Sequence, residues 1–150
     1  MHYQPSYRSQ EIPRLLPPSD SVPVTGRELR FSSLDDYRQV EIPERVVSGY
    51  DEAATRYSYA VNCMVCHGQS MGGDGAILGY MTRGPFPADL LLPITQDSAD
   101  GELFAFISNG GRQGMAAMER GKESASPMPS FQYLLTEDER WMLVMYLRSQ

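Results

Sequence analysis

The chain has 150 residues, a formal net charge of −6 and only two cysteines and two histidines, a size that suits one domain with or without an extension. The charge divides unevenly: residues 49–150 carry 12 acidic and seven basic side chains, residues 1–48 seven and six. No basic patch recommends nucleic acid as a partner. The longest apolar runs, around Leu90–Leu92 and Trp141–Leu147, fall far short of the ~20 residues that span a bilayer.

Residues 1–47 read as an extended, proline-rich arm. Six of the 11 prolines lie there (Pro5, Pro13, Pro17, Pro18, Pro23 and Pro43); each removes a backbone donor and discourages helix in the residue before it. Its apolar residues hold no period of 2 or 3.6 for long. Yet Tyr3, Tyr7, Ile12, Leu15, Leu16, Phe31 and Tyr37 are more anchoring side chains than a solvated linker requires, so the expectation is a strap laid across a partner. On that reading, removing residues 1–45 leaves a folded domain.

A domain is expected over residues 48–150. Ser48 is positioned to cap a helix with Asp51 in its first turn, and Tyr50, Ala53, Ala54, Tyr57, Val61 and Met64 recur at helical spacing. This helix delivers Cys63-Met64-Val65-Cys66-His67. Two thiols three apart with a histidine after the second form the c-type haem attachment pattern: the sulfurs make thioethers with the porphyrin while the imidazole reaches the iron. A structural zinc site wants four Cys or His ligands, and the only other histidine is His2. A thioredoxin-like dithiol wants a βαβ pattern, which is absent from the sequence.

Gly68, Gly72, Gly73, Gly75 and Gly79 follow, without the Walker spacing or its lysine; backbone passing close to a flat cofactor is the expected need. In Arg83-Gly84-Pro85-Phe86-Pro87-Ala88, the carbonyl of either proline is a candidate acceptor for the second nitrogen of His67, and Arg83 is a candidate partner for a haem propionate. Leu103, Phe104 and Ile107 predict a helix over Asp100–Ser108, stopped by Asn109-Gly110-Gly111. A methionine sulfur is the natural sixth iron ligand of an electron carrier. Met142 and Met145 read as core filler; Met128, between Pro127 and Pro129, is favoured, with Met115 second and Met118 also open. Thr136 and Glu139 form a capping box before Trp141–Leu147, which is apolar nearly all round between Arg140 and Arg148 and therefore expected to be buried on every side.

Cys63-x-x-Cys66-His67-Gly68, Ile107-Ser108-Asn109-Gly110, Met128-Pro129-x-Phe131 and Leu135-Thr136-x-x-Glu139-x-Trp141 running to Tyr146-Leu147-Arg148 together resemble a class I monohaem cytochrome c over residues 48–150. Met1-His2-x-Gln4-Pro5-x-Tyr7, with Val22-Pro23-Val24-x-Gly26, is similar to the start of the monohaem cytochrome c subunit of alternative complex III, a quinol-oxidising membrane assembly. The resemblance implies a mostly α fold around one covalent haem c with an extended N-terminal arm. It also implies single-electron transfer without bond-making chemistry, other complex subunits as partners, and a soluble acceptor of cytochrome c or blue-copper type. The expected location is the periplasmic face of the cell membrane, peripheral. Because no basic-then-apolar leader opens at Met1, any export signal or lipid-bearing cysteine is expected upstream. The competing readings are a freely diffusing periplasmic carrier and, from another class, a haem enzyme or gas sensor with an open sixth iron position.

Overall fold

Among the described residues, Ser33 is the first to cap a helix: its hydroxyl accepts from the Asp35 N–H at 3.1 Å and starts α1 (Leu34–Arg38). The computed structural model describes residues 30–150 together with Pro18, Ser21 and Glu28. His2, Tyr3, Tyr7, Ile12, Leu15, Leu16, Pro5, Pro13, Pro17 and Pro23 lie outside the described residues. After α1 come α2 (Glu44–Ser48), α3 (Glu52–Asn62), α4 (Met64–His67), a 3-10 turn at Ala76–Tyr80, α5 (Pro93–Gln96), α6 (Asp100–Asn109), α7 (Gly111–Glu119), a 3-10 turn at Phe131–Tyr133 and α8 (Glu137–Arg148). The fold is mostly α, as expected, with no strand among the described residues. None of the described helices is long and apolar enough to cross a membrane.

The cap expected at Ser48 sits three residues later. Asp51 caps α3, its carboxylate accepting from the Ala54 N–H at 3.0 Å. Ser48 instead ends α2, its hydroxyl donating back to the Glu44 carbonyl at 2.9 Å. A carboxylate at the positive end of a helix gains from the dipole as well as the hydrogen bond, and Asp51 takes the position. The face expected to be buried also differs. Thr55 and Tyr59 point inward, while Tyr57 is 72% exposed and Val61 lies outward with it. Apolar residues at helical spacing defined two stripes on α3, and α8 covers the one with Tyr59.

Several residues between 31 and 46 pack into the core, so packing runs across the boundary expected at residue 48. Tyr37 is 3% exposed and Val46 is fully enclosed; both join Leu103, Phe104, Met115, Trp141 and Val144, with Phe31, Leu34, Val40 and Ile42 packed around them. Phe104 and Trp141 stack with ring centres 4.2 Å apart, and Phe31 meets Tyr37 edge-on at 5.1 Å. Two of the aromatic residues assigned to an outside partner are therefore used inside. A short helix in a proline-punctuated stretch shows too little period to be read, but its aromatic side chains gain more from burial than from staying in water.

Gly101 marks how closely the arm is laid down. A Cβ there would stand 1.7 Å from the Tyr37 carbonyl oxygen, so α1 reaches α6 backbone to backbone. Gly101→Ala must push α1 away and is expected to lower stability by roughly 1–3 kcal/mol, as overpacking does. A fall of several degrees in the thermal midpoint checks it; an unchanged midpoint would show that the arm yields freely.

The predicted central helix is present as α6, one residue longer than expected, and ends at Gly110 in the left-handed region (φ 86°). Glu102 turns back to the Ala99 N–H at 2.9 Å and also accepts from Arg38 Nε at 2.8 Å, a further tie between α1 and α6. A new helix, α7, restarts at once from Gly111 and was not expected. Helix α8 carries its capping box, with the Glu139 carboxylate accepting from the Thr136 N–H at 2.7 Å and Glu139 N–H donating to Thr136 Oγ1 at 3.3 Å. It is buried along nearly its whole circumference, against α3 on one side and against α2 and α6 on the other. Arg148 clamps its end, donating to Asp100 at 2.8 Å and to the Gln96 and Ser98 carbonyls.

Candidate haem site

The attachment motif is held at the junction of two helices. Cys63 closes α3, its N–H donating to the Tyr59 carbonyl at 2.8 Å, and also opens α4, where its carbonyl accepts from Cys66 at 3.0 Å and His67 at 2.9 Å. Residues three and four apart on one turn share a face, so both sulfurs and the imidazole stand on the same side. Both cysteines are free and half-buried. Burial, reinforced by the neighbouring Cys66, pushes the Cys63 thiol up to about 12.

His67 Nδ1 lies 2.9 Å from the Ala88 carbonyl. A carbonyl can only accept, so the proton sits on Nδ1 and the Nε2 lone pair is left free. The acceptor expected from Pro85 or Pro87 is thus supplied one residue later: Pro87 stiffens the chain, and Ala88 presents the oxygen. Loss of water lowers the His67 pKa and so favours the neutral ring that a metal requires, while the bond to Ala88 offsets part of that shift.

The glycine-rich stretch serves the motif's own backbone. The Gly73 N–H donates to the His67 carbonyl at 2.9 Å and Gly75 N–H to the Cys66 carbonyl at 3.1 Å, satisfying the end of α4. A Cβ on Gly75 would lie 2.4 Å from the Val65 oxygen, and one on Gly73, in the left-handed region, 2.5 Å from the Pro87 oxygen. The close approach expected toward a cofactor is here an approach to α4 and to the strand of chain that bears Ala88. Tyr59, not singled out in the sequence, fixes the motif from below: its hydroxyl donates to the Gly68 carbonyl at 2.8 Å, and burial raises its pKa so that it remains a donor. Its signal was present, since it stands one helical turn before Cys63.

The two methionine candidates occupy different places. Met115 is 1% exposed on α7 among Phe104 and Trp141, its sulfur 3.6 Å from Asn109 Nδ2; Met118, Met142 and Met145 pack around the same core. Met128 is half-buried beyond α7 and lies against the break between α6 and α7. A Cβ on Gly110 would be 2.6 Å from the Met128 carbonyl, and one on Gly111, also left-handed, 3.2 Å from its sulfur. Arg83 is exposed on the loop before Ala88.

The donors present fit a c-type haem: two thiols and a neutral imidazole with a free Nε2 on one face, and apolar Met64, Val65 and Leu78 left exposed on α4 and the adjoining 3-10 turn. Fold and motif define a helical protein built to carry one covalently bound haem. The cytochrome c family model matches residues 52–150, and the chain belongs to the cytochrome c family. It carries haem c and transfers electrons through it. No curated protein matches. A solved chain from a reducing HAO-like protein complex of Kuenenia stuttgartiensis is 23% identical, with 73% of this chain and 46% of that one covered and a TM-score of 0.49. This chain thus spans less than half of that neighbour.

Because thioethers are covalent, acid acetone is expected to leave the haem on the polypeptide, and a pyridine haemochrome is expected to show a c-type spectrum with one haem per chain. Serine at either Cys63 or Cys66 should shift that spectrum toward a haem with one free vinyl group.

Proposed function

We propose that this cytochrome relays single electrons as a subunit of a membrane-bound quinol-oxidising assembly of the alternative complex III type. In this reading Cys63 and Cys66 carry the thioethers, His67 Nε2 and Met128 Sδ hold the iron, and Arg83 pairs with a propionate. The Ala88 bond to His67 Nδ1 is the observation that carries the ligand assignment: it orients the ring and raises its basicity while leaving Nε2 free. For Met128, support comes from its place outside the packed core and against the glycine break, where its sulfur is not consumed by packing as that of Met115 is.

The chain's own residues do the rest. Tyr59 and the amides of Gly73 and Gly75 tie the attachment turn down, and the exposed apolar Met64, Val65 and Leu78 would cover a haem bound there and so favour its ferrous form. The proposed partners are other subunits of the complex and a soluble acceptor of cytochrome c or blue-copper type, at the periplasmic face, with a lipid anchor upstream as an option. Support for a complex is the likeness of Met1–Tyr7 and Val22–Gly26 to that subunit family. Isolation of the native protein in mild detergent tests it: co-migration with quinol-oxidising activity is expected, and a monodisperse free cytochrome in the soluble fraction would favour the diffusing carrier.

A further inference from the structure

Arg140 was expected only to mark the start of an apolar helix, yet its guanidinium is enclosed. It makes a two-pronged pair with Glu28, Nη1 to Oε1 at 3.0 Å and Nη2 to Oε2 at 2.5 Å, donates through Nη1 to Ser108 Oγ and through Nε to the Thr136 carbonyl at 3.2 Å, and lies 4.8 Å over the Phe104 ring. Such a fork fixes direction as well as charge. Ser108 is buried near the end of α6, and its carbonyl accepts from Ser130 Oγ at 2.6 Å. Ser130 stands two residues after Met128. On the other flank, Ser126 Oγ accepts from the Met128 N–H at 3.2 Å.

The geometry points to a positioning chain, Glu28–Arg140–Ser108–Ser130, that holds the Met128 segment against the α6–α7 break and makes the strength of the sulfur–iron bond depend on the arm. This inference rests on Met128 as the sixth ligand. Two of its four members, Arg140 and Ser108, are buried and bonded to each other, with half-buried Glu28 and Ser130 at the two ends, and at the enclosed link no water replaces a broken bond. Pro129, between Met128 and Ser130, makes the link stiff, so a hydroxyl fixed at Ser130 fixes the sulfur's approach. None of the four residues needs to touch the haem; they act through Met128.

Imidazole added to the ferric, haem-loaded full-length protein reads this directly, because it binds only after Met128 leaves, and its apparent affinity scales with the fraction of protein in which the sulfur is off. Ser130→Ala is expected to tighten imidazole binding roughly fivefold, the effect of one lost hydrogen bond on that equilibrium. It should also weaken the sulfur-to-iron charge-transfer band, and Ser130→Thr should restore both. Glu28→Gln should move both readouts the same way, with Glu28→Asp read instead where the glutamine variant does not hold haem. Unchanged imidazole affinity in Ser130→Ala and the Glu28 variant, even with a lower melting temperature, would overturn the positioning chain. If Met128→Ala keeps the charge-transfer band, Met128 is not the ligand and the inference falls with that assignment; if it loses the band while the other variants titrate like the parent, the positioning chain alone is wrong.

Discussion

A protein that begins at residue 46 is expected not to fold. The truncation removes Tyr37 from the main core, and deleting a large buried aromatic side chain costs about 3–5 kcal/mol. It also strips Phe31, Leu34, Val40 and Ile42 from the same cluster. Arg140 would then be left enclosed without Glu28, and a buried pair broken on one side costs another ~3–5 kcal/mol. The two losses together are comparable to the ~5–15 kcal/mol that holds a domain. Loss of the cooperative urea transition and of near-ultraviolet dichroism checks this. A protein that starts at Glu28 keeps every described contact except the Pro18–Ser21 turn and is expected to retain the cooperative urea transition. If the shorter protein folds as well as the longer one, residues 31–45 contribute nothing to stability and are free to serve a partner, as first expected from their composition.

Met128→Ala is expected to abolish the sulfur-to-iron charge-transfer band of the oxidised protein and to lower the potential by a substantial part of the ~0.8 V range that axial ligands command, because thioether sulfur favours ferrous iron. Met115→Ala is expected to leave the band in place and instead to lower stability by about 2–5 kcal/mol, the cost of a cavity beside Phe104 and Trp141. The pair of variants therefore separates the two sulfurs by kind of effect, spectrum against urea midpoint. A band lost in Met115→Ala and kept in Met128→Ala would reverse the assignment and require α7 to unwind when haem is bound.

Electron transfer needs no side chain to react, and the features described here are accordingly ones of placement. The imidazole is aimed by Ala88, the attachment turn is pinned by Tyr59, and the loop after it is tied to α4 by two glycine amides. Exposed ion pairs such as Arg45 with Glu137 and Asp138 add little to stability at ordinary salt, since each partner is well solvated. The buried Arg140 is different in kind because its loss leaves several groups unpaired at once.

What the sequence by itself determined is what is local. Two thiols and an imidazole within one helical turn share a face whatever surrounds them, which is why Cys63, Cys66 and His67 were legible as a set. The Thr136–Glu139 box and the left-handed stop at Gly110 are likewise written within four residues. Tertiary structure decided whatever depends on distant partners. Glu28 and Arg140 are 112 residues apart, and no pattern near either announces the other. Phe31 and Tyr37 looked like anchors for another protein because sequence shows that an aromatic side chain will be covered but not by what; the bare backbone of Gly101 let α1 come close enough to cover them from within. The oxygen that orients His67 came from Ala88 rather than from a flanking proline because it is the path of the loop, held by the glycines against α4, that sets which carbonyl arrives. The flanking prolines already favoured Met128 over Met115 in sequence, but only α7, restarting where a stop was expected, drew Met115 into the core and left Met128 beside the helix break.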